Sequence, residues 1–330
     1  MRVAVLGAGA MGAIFGSALA RAGAKVVYFD QRLDVIEAII SSGLFLDGAF
    51  AATTTKFPAT SFAAELGRVD LALVLVDSNS TVDVADVVAQ CMSEGGCALT
   101  LQNGIGNWEA LADRLGGGRV LAGSTYNSGA NLGPGRVRHT NLGETIIGET
   151  DGALSERVRE IGRLLDAGGL PVEITTNVQG HIWSKFVHNC AINPISAVTG
   201  LRPGEIARTK AAAELLDQLL SEILAVVKAA GIRLPEADPT SHIRDHCWER
   251  YNRPSMLQHL KSGRHTEIDA LNAALVHLAR KLGVPVPVNE AIVLIVKALE
   301  ASMRERGAPM DESALEQSAR LTPRNDVWGE

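Results

Sequence analysis

The sequence predicts an α/β fold: a doubly wound parallel sheet in the first half, followed by an all-α second half. Three observations predict it. Short apolar runs alternate with helix-periodic segments from Val3 to about Ser124, and the first of these runs meets a glycine turn that opens a helix. From about Val178 the strand-like pattern disappears and long segments of helical periodicity take over. A chain of 330 residues, 46% apolar and 21% charged, can bury two moderate cores, so two domains are expected, 1–176 and 177–330.

The elements follow in order. Residues 3–6 form the first strand, and after the turn Ala13, Phe15, Gly16 and Leu19 recur at helical spacing. Residues 25–29 read as a strand, 33–40 as a helix, 70–76 as a strand and 82–92 as a helix. Residues 97–101 and 120–124 add two strands with a helix over 108–115 between them, which predicts a parallel sheet covered on both faces. The segment 135–148, rich in Thr, Val, Ile and Gly, reads as a hairpin appended to that sheet. Helices are expected over 182–198, 211–230, 268–282 and 291–303. Thr266 to Asp269 fits a capping-box-like start, Gly283 a helix stop and Pro287 the opening of the next helix, while the tail from Leu321 reads as weakly anchored.

Composition excludes several function classes. A net charge of −6 leaves no clustered basic surface with which to displace counterions from nucleic acid. Cys91, Cys97, Cys190 and Cys247 have no CxxC spacing and fall in apolar stretches, which favours reduced core thiols over zinc or disulfides and implies a cytoplasmic location. Only Arg2 precedes the first apolar strand, and no run reaches the roughly 18 apolar residues of a membrane span, so neither secretion nor membrane insertion is expected.

The turn Gly7-Ala8-Gly9-Ala10-Met11-Gly12 has the G-x-G-x-x-G spacing of a dinucleotide cradle, between a strand and a helix. Gly7 permits the exit from the strand, Gly9 lets backbone approach a pyrophosphate, and Gly12 allows helix and strand to pack closely, with free N–H groups at the helix start facing the phosphates. Asp30 ends the second strand 18 positions after Gly12, where a carboxylate accepts the ribose hydroxyls of NAD and repels a 2′-phosphate. Arg32 could still pair with such a phosphate. In "IWSKFVHNCAINPISA", Lys185, Asn189 and Asn193 recur at i, i+4 and i+8, which stacks them on one face of an otherwise apolar helix stopped or bent near Pro194. From spacing alone the stripe is either a solvated edge or the lip of a substrate cleft. Asn103-Gly104 alone reads as a turn, Glu267 as a first-turn acid, and Asn189 as a group able to cap buried backbone. His181, His188, His259 and His265 read as surface or cap groups.

The whole chain resembles the ketopantoate reductase (2-dehydropantoate 2-reductase) family. The motifs that carry the resemblance are "GAGAMG", "LQNGIG" at 101–106, "KFVHNCAINPISA" at 185–197, "RPSMLQHLKSGRHTEIDALN" at 253–272 and "GVPVPVNEAI" at 283–292. The resemblance implies a Rossmann domain joined to a helical domain, with an interdomain cleft in which NADPH reduces 2-dehydropantoate to (R)-pantoate. It further implies that Lys185 is the catalytic lysine, that Glu267 is the cleft carboxylate, that Asn103 sits at the nicotinamide end, and that Asn189, Asn193 and Ser255 hold the substrate.

Those residue types suit the chemistry. A cationic donor stabilises the oxygen that becomes anionic as hydride arrives and can supply its proton; a carboxylate holds the ammonium, and neutral amides orient a substrate carboxylate. No metal is called for. Two departures bear on the cofactor: Asp30-Gln31 stands where the family usually has Arg, and Asp77 where it usually has Lys. A like-charge contact with a phosphate costs of order a few kcal/mol at low effective dielectric, and about 1.4 kcal/mol is tenfold in affinity, so both acids favour NADH. They equally suit an NAD-dependent D-2-hydroxyacid dehydrogenase of the mandelate type. A dinucleotide-sensing protein without catalysis is the remaining alternative. The expected partner is a small 2-oxoacid, with a homodimer as a further expectation.

Overall fold

The computed structural model describes residues 1–306, with side chains described through residue 303. The tail from Leu321 lies outside them. The chain divides into two compact units, Met1–Ile182 and a second from Trp183 onward.

The first unit opens with β1 (Arg2–Leu6), α1 (Ala10–Arg21), β2 (Lys25–Phe29) and α2 (Leu33–Ser41), then the short strands β3 (Leu44–Gly48), β4 (Thr53–Thr55) and β5 (Ala59–Thr60). It continues through β6 (Val69–Val74), α3 (Thr81–Cys91), β7 (Met92–Thr100), α4 (Asn107–Leu115), β8 (Val120–Thr125), β9 (Ser128–Gly133) and β10 (Arg136–Asn141). β11 (Thr145–Glu149), α5 (Glu156–Ala167) and β12 (Val172–Ile174) complete it, and the division between the units falls inside α6 (Val178–Thr199).

Eight strands form the main sheet in the order β12-β11-β8-β7-β6-β1-β2-β5. Alternation along β1 explains why it is covered on both faces: Val3 and Val5 join one buried cluster, Ala4 and Leu6 the other. All pairings are parallel except β11 with β8. The chain runs outward from β1 to β2 and β5, then crosses to β6 on the other side of β1. That reversal opens a crevice at the carboxyl ends of β1 and β6, where open α/β sheets bind ligands.

The expected hairpin over 135–148 is corrected. Its first part, β10, pairs with β9 and with β3 in a separate four-stranded sheet, and only β11 joins the main sheet. A buried polar junction parts the two strands: Asn127 donates to Thr125 Oγ1 (2.9 Å) and to the Gly143 carbonyl (2.7 Å), and His139 Nε2 lies 2.9 Å from Asn127 Oδ1.

The second unit contains the rest of α6, then α7 (Pro203–Arg208), α8 (Lys210–Ala229), α9 (Pro239–Glu249) and α10 (Ser255–Lys261). A π-helical turn, Asp269–Ala273, leads into α11 (Ala274–Leu282), and α12 (Pro287–Arg306) follows. One expectation is met and one revised. Of the stop or bend left open at Pro194, the stop does not occur: α6 runs on to Thr199, in line with the helix expected over 182–198. The capping box at Thr266 does not close either: Thr266 N–H donates to Glu300 Oε1 at 2.6 Å, and Asp269 turns away to pair with Lys297 at 2.5 Å. Gly283 does end α11 in a left-handed conformation, and Pro287 does open α12. No helix among the described residues is long and apolar enough to cross a membrane.

Candidate active site

The first unit carries the glycine turn at the end of β1. Gly7 has φ of 101°, which a side chain would strain, and a Cβ there would also meet the Leu75 carbonyl oxygen at 2.8 Å. A Cβ on Gly12 would stand 1.9 Å from the Gly7 carbonyl oxygen, so only glycine lets α1 lie this close to the strand exit. Around Gly9 nothing lies within 4 Å of that position. Gly9 caps α1 through backbone alone, the first turn contains no acid, and the N–H groups of Ala10, Met11 and Gly12 have no acceptor within the helix. Such an end favours an anion.

Asp30 closes the turn. Its Oδ2 accepts the Ala8 N–H at 2.8 Å, and its Oδ1 accepts the Arg32 N–H at 2.9 Å. The Arg32 guanidinium returns to the same carboxylate at 3.2 and 3.3 Å. That hydrogen bonding raises the Arg32 pKa above its usual value, with the charges of Asp30, Asp34 and Asp77 adding to the effect. The exposed Asp77 therefore acts on the same guanidinium.

The loop after β7 presents Asn103. Its carbonyl accepts from Ser78 Oγ at 2.7 Å and from Asn107 Nδ2 at 3.0 Å, while Gln102 Nε2 donates to the Val76 carbonyl at 2.8 Å. These bonds tie the loop after β6 to the loop after β7, at the end of the sheet that carries the glycine turn.

In the second unit, α6 carries Lys185, Asn189 and Asn193. Asn193 is buried, and Lys185 and Asn189 are half-buried among Phe186, Val187, Cys190 and Ile192. Burial lowers the Lys185 pKa to about 8, and the negative charge of Glu267 opposes that shift. Glu267 sits just before the π-helical turn, and Ser255 Oγ, at the start of α10, donates to its Oε2 at 3.1 Å. This unit thus holds a lysine of depressed pKa, a carboxylate whose charge acts on it, and two amides spaced along the lysine's own helix face.

His188 is not the surface group expected. It is half-buried, its ring perpendicular to that of His246 with centroids 4.1 Å apart, and burial lowers the two to about 3 and about 4. Sequence reasoning also missed Asn272, Asn289 and Glu222. Glu222 accepts the Val288 and Asn289 N–H groups at the start of α12 at 2.9 Å each, and Asn272 donates to the Cys190 carbonyl at 2.9 Å. The available signal was Pro194: a proline within a helix leaves the carbonyl four residues earlier in need of a donor.

Residues 3–152 match the model of the family "Ketopantoate reductase PanE/ApbA", and residues 177–300 that of its C-terminal part. The 2-dehydropantoate 2-reductase of Archaeoglobus fulgidus is 31% identical over 303 residues, spanning 92% of this chain and 99% of its own. The crystal structure of a PanE/ApbA family ketopantoate reductase from Ralstonia eutropha JMP134 superimposes with a TM-score of 0.83 at 33% identity, over 92% of this chain and 100% of that one. The ternary structure of D-mandelate dehydrogenase with NADH and anilino(oxo)acetate shares the fold, with a TM-score of 0.84 at 23% identity over 92% and 99% of the two chains. With both halves matched in order and with relatives aligned over nearly their full length, the chain belongs to the ketopantoate reductase PanE/ApbA family of NAD(P)-dependent oxidoreductases.

Proposed function

We propose that the chain reduces the ketone of 2-dehydropantoate to (R)-pantoate, with NADH as the preferred donor. The observation that carries this reading is Lys185, an ammonium in a largely apolar helix whose pKa of about 8 suits a proton donor near neutral pH. The relatives named 2-dehydropantoate 2-reductase support the substrate. A dinucleotide fits the first unit: the open face at Gly9, the acid-free start of α1 and the Asp30 carboxylate suit pyrophosphate and ribose in turn. The reduced nicotinamide supplies the hydride.

The chain's own residues do the rest. Lys185 Nζ donates to the ketone oxygen and passes its proton there as that oxygen gains charge, which stabilises the transition state more than the ground state. Glu267 steadies the ammonium and accepts from a substrate hydroxyl. Asn189, Asn193 and Ser255 orient the substrate carboxylate without offering a competing acid, and Asn103 would hold the nicotinamide end of the cofactor. The NADH preference rests on Arg32: its guanidinium is engaged by Asp30 and lies in the field of Asp77, so little positive potential is left for a 2′-phosphate.

The same acids favour a second reading, an NAD-dependent D-2-hydroxyacid dehydrogenase of the mandelate type. Initial rates with 2-dehydropantoate and with benzoylformate, each paired with NADH and NADPH, test both. The highest kcat/KM is expected for 2-dehydropantoate with NADH. A preference for benzoylformate installs the second reading, and no oxidation of either cofactor by either acid overturns both.

A further inference from the structure

Pro194 lies inside α6, and a proline has no N–H for the carbonyl four residues back. That carbonyl belongs to Cys190, which is fully buried, so bulk water does not reach it. A side chain from another segment supplies the donor: Asn272 Nδ2 stands 2.9 Å from the Cys190 carbonyl oxygen. The same nitrogen donates to Asn289 Oδ1 at 2.9 Å, and Asn289 Nδ2 donates onward to Glu222 Oε2 at 2.8 Å. Asn272 and Asn289 are both 0% exposed, so the orientation of Asn272 is set from α8 and α12 as well as from α6.

The two ends of the Asn272–Cys190 bond lie within the proposed catalytic segments. Cys190 falls between Asn189 and Asn193 on α6. Asn272 belongs to the π-helical turn, whose N–H bonds run back to the source of the carboxylate: Leu271 N–H donates to the Glu267 carbonyl at 3.0 Å, and Ala273 N–H to that of Ile268 at 3.0 Å. We propose that Asn272 is a positioning residue, which replaces the donor that Pro194 lacks and so fixes the Lys185–Asn193 stripe against the turn bearing Glu267. The inference rests on the roles proposed above for Lys185 and Glu267.

The test uses the full chain with Asn272→Ala, alone and combined with Pro194→Ala, which returns a backbone N–H to the Cys190 carbonyl. Displacement of a reacting group by about 1 Å can cost a hundredfold, so the single variant is expected to lose about tenfold or more in kcat with KM for NADH unchanged, and the double variant to regain most of it. Titration of Lys185 by carbon-13 NMR of its Cε, with no substrate present, is expected to move up from about 8 in the single variant, as water reaches the loosened ammonium, and to return in the double. Unchanged kcat and unchanged titration in the single variant overturn the proposal, as does a loss that Pro194→Ala leaves unrelieved. Should Asn272→Ala not fold, Asn272→Ser takes its place with the same readings, because its hydroxyl can bond within its own turn but is too short to span to Cys190. If the unaltered protein reduces no 2-oxoacid, the functional reading falls, while the titration still decides whether Asn272 sets the surroundings of Lys185.

Discussion

Lys185 is held between burial, which favours the neutral amine, and the Glu267 charge, which favours the ammonium; burial is the larger effect, and the outcome is a pKa of about 8. In the proposed mechanism, ketone reduction needs the protonated form. Its rate is therefore expected to be level below about pH 8 and to fall towards tenfold per unit above it, while alcohol oxidation, which needs the amine, rises with pH up to about 8 and levels off above it. His188 and His246, at about 3 and about 4, remain neutral there and contribute no titration between pH 5 and 8. Stability should rise with pH between about 8 and the ordinary 10.5, because the unfolded chain binds a proton that the native lysine has released. Lys185→Ala is expected to lower kcat by about 10²–10⁴-fold, the usual worth of a general acid, with the dissociation constant for NADH nearly unchanged, as read by single-turnover kinetics and fluorescence titration. At the other polar cluster, Asp77→Lys reverses an exposed charge that acts on Arg32. It is expected to raise the NADPH:NADH ratio of kcat/KM about tenfold, and less at high salt, where exposed charges are screened.

The turn from β1 into α1 separates binding from folding at neighbouring glycines. A Cβ at Gly9 meets no atom within 4 Å, so Gly9→Ala should leave Tm unchanged and, with the pyrophosphate bound as proposed, weaken NADH binding about tenfold or more. A Cβ at Gly12 meets the Gly7 carbonyl at 1.9 Å, so Gly12→Ala should lower Tm as well. Thermal melts and calorimetric titration of the two variants check the split, and equal loss of Tm in both would refute it. This turn was legible in the sequence because all its determinants lie within a dozen residues, as was the stripe of Lys185, Asn189 and Asn193, which helical spacing alone puts on one face. The bond between Ser255 and Glu267, supplied by separate segments, carried no periodic signal, and Glu267 was singled out only through the family resemblance. The fate of 135–148 was illegible for a related reason: β10 pairs with β3, some ninety positions earlier, and no local pattern encodes that partner. Asn272 was hidden because a buried amide among apolar neighbours shows its purpose only beside the carbonyl that Pro194 leaves without a donor.

Across the whole molecule, the proposed function assigns hydride chemistry and proton chemistry to different units. The glycine turn, Asp30 and Asn103 belong to Met1–Ile182, while Lys185, Asn189, Asn193, Ser255 and Glu267 belong to the unit from Trp183 onward. Each set is braced within its own unit: the first by the Asp30–Ala8 bond and the Ser78–Asn103 bond, the second by the Asn272–Cys190 bond. Ligands should therefore leave separable footprints in hydrogen exchange, which reports local opening. ADP-ribose, which has no nicotinamide, is expected to slow exchange at the start of α1 and in the loops that hold Asp30 and Asp77, and to leave α6 unchanged. Oxamate, an unreactive 2-oxoacid mimic, added together with NADH should extend protection to residues 185–193 and to the turn after Glu267. Protection of α6 by ADP-ribose alone would contradict this division of labour, and oxamate protection confined to the first unit would remove the second from substrate binding. Repeating the oxamate measurement in Lys185→Ala gives the sharper reading, because loss of the ammonium should erase the α6 footprint while the footprint on α1 persists.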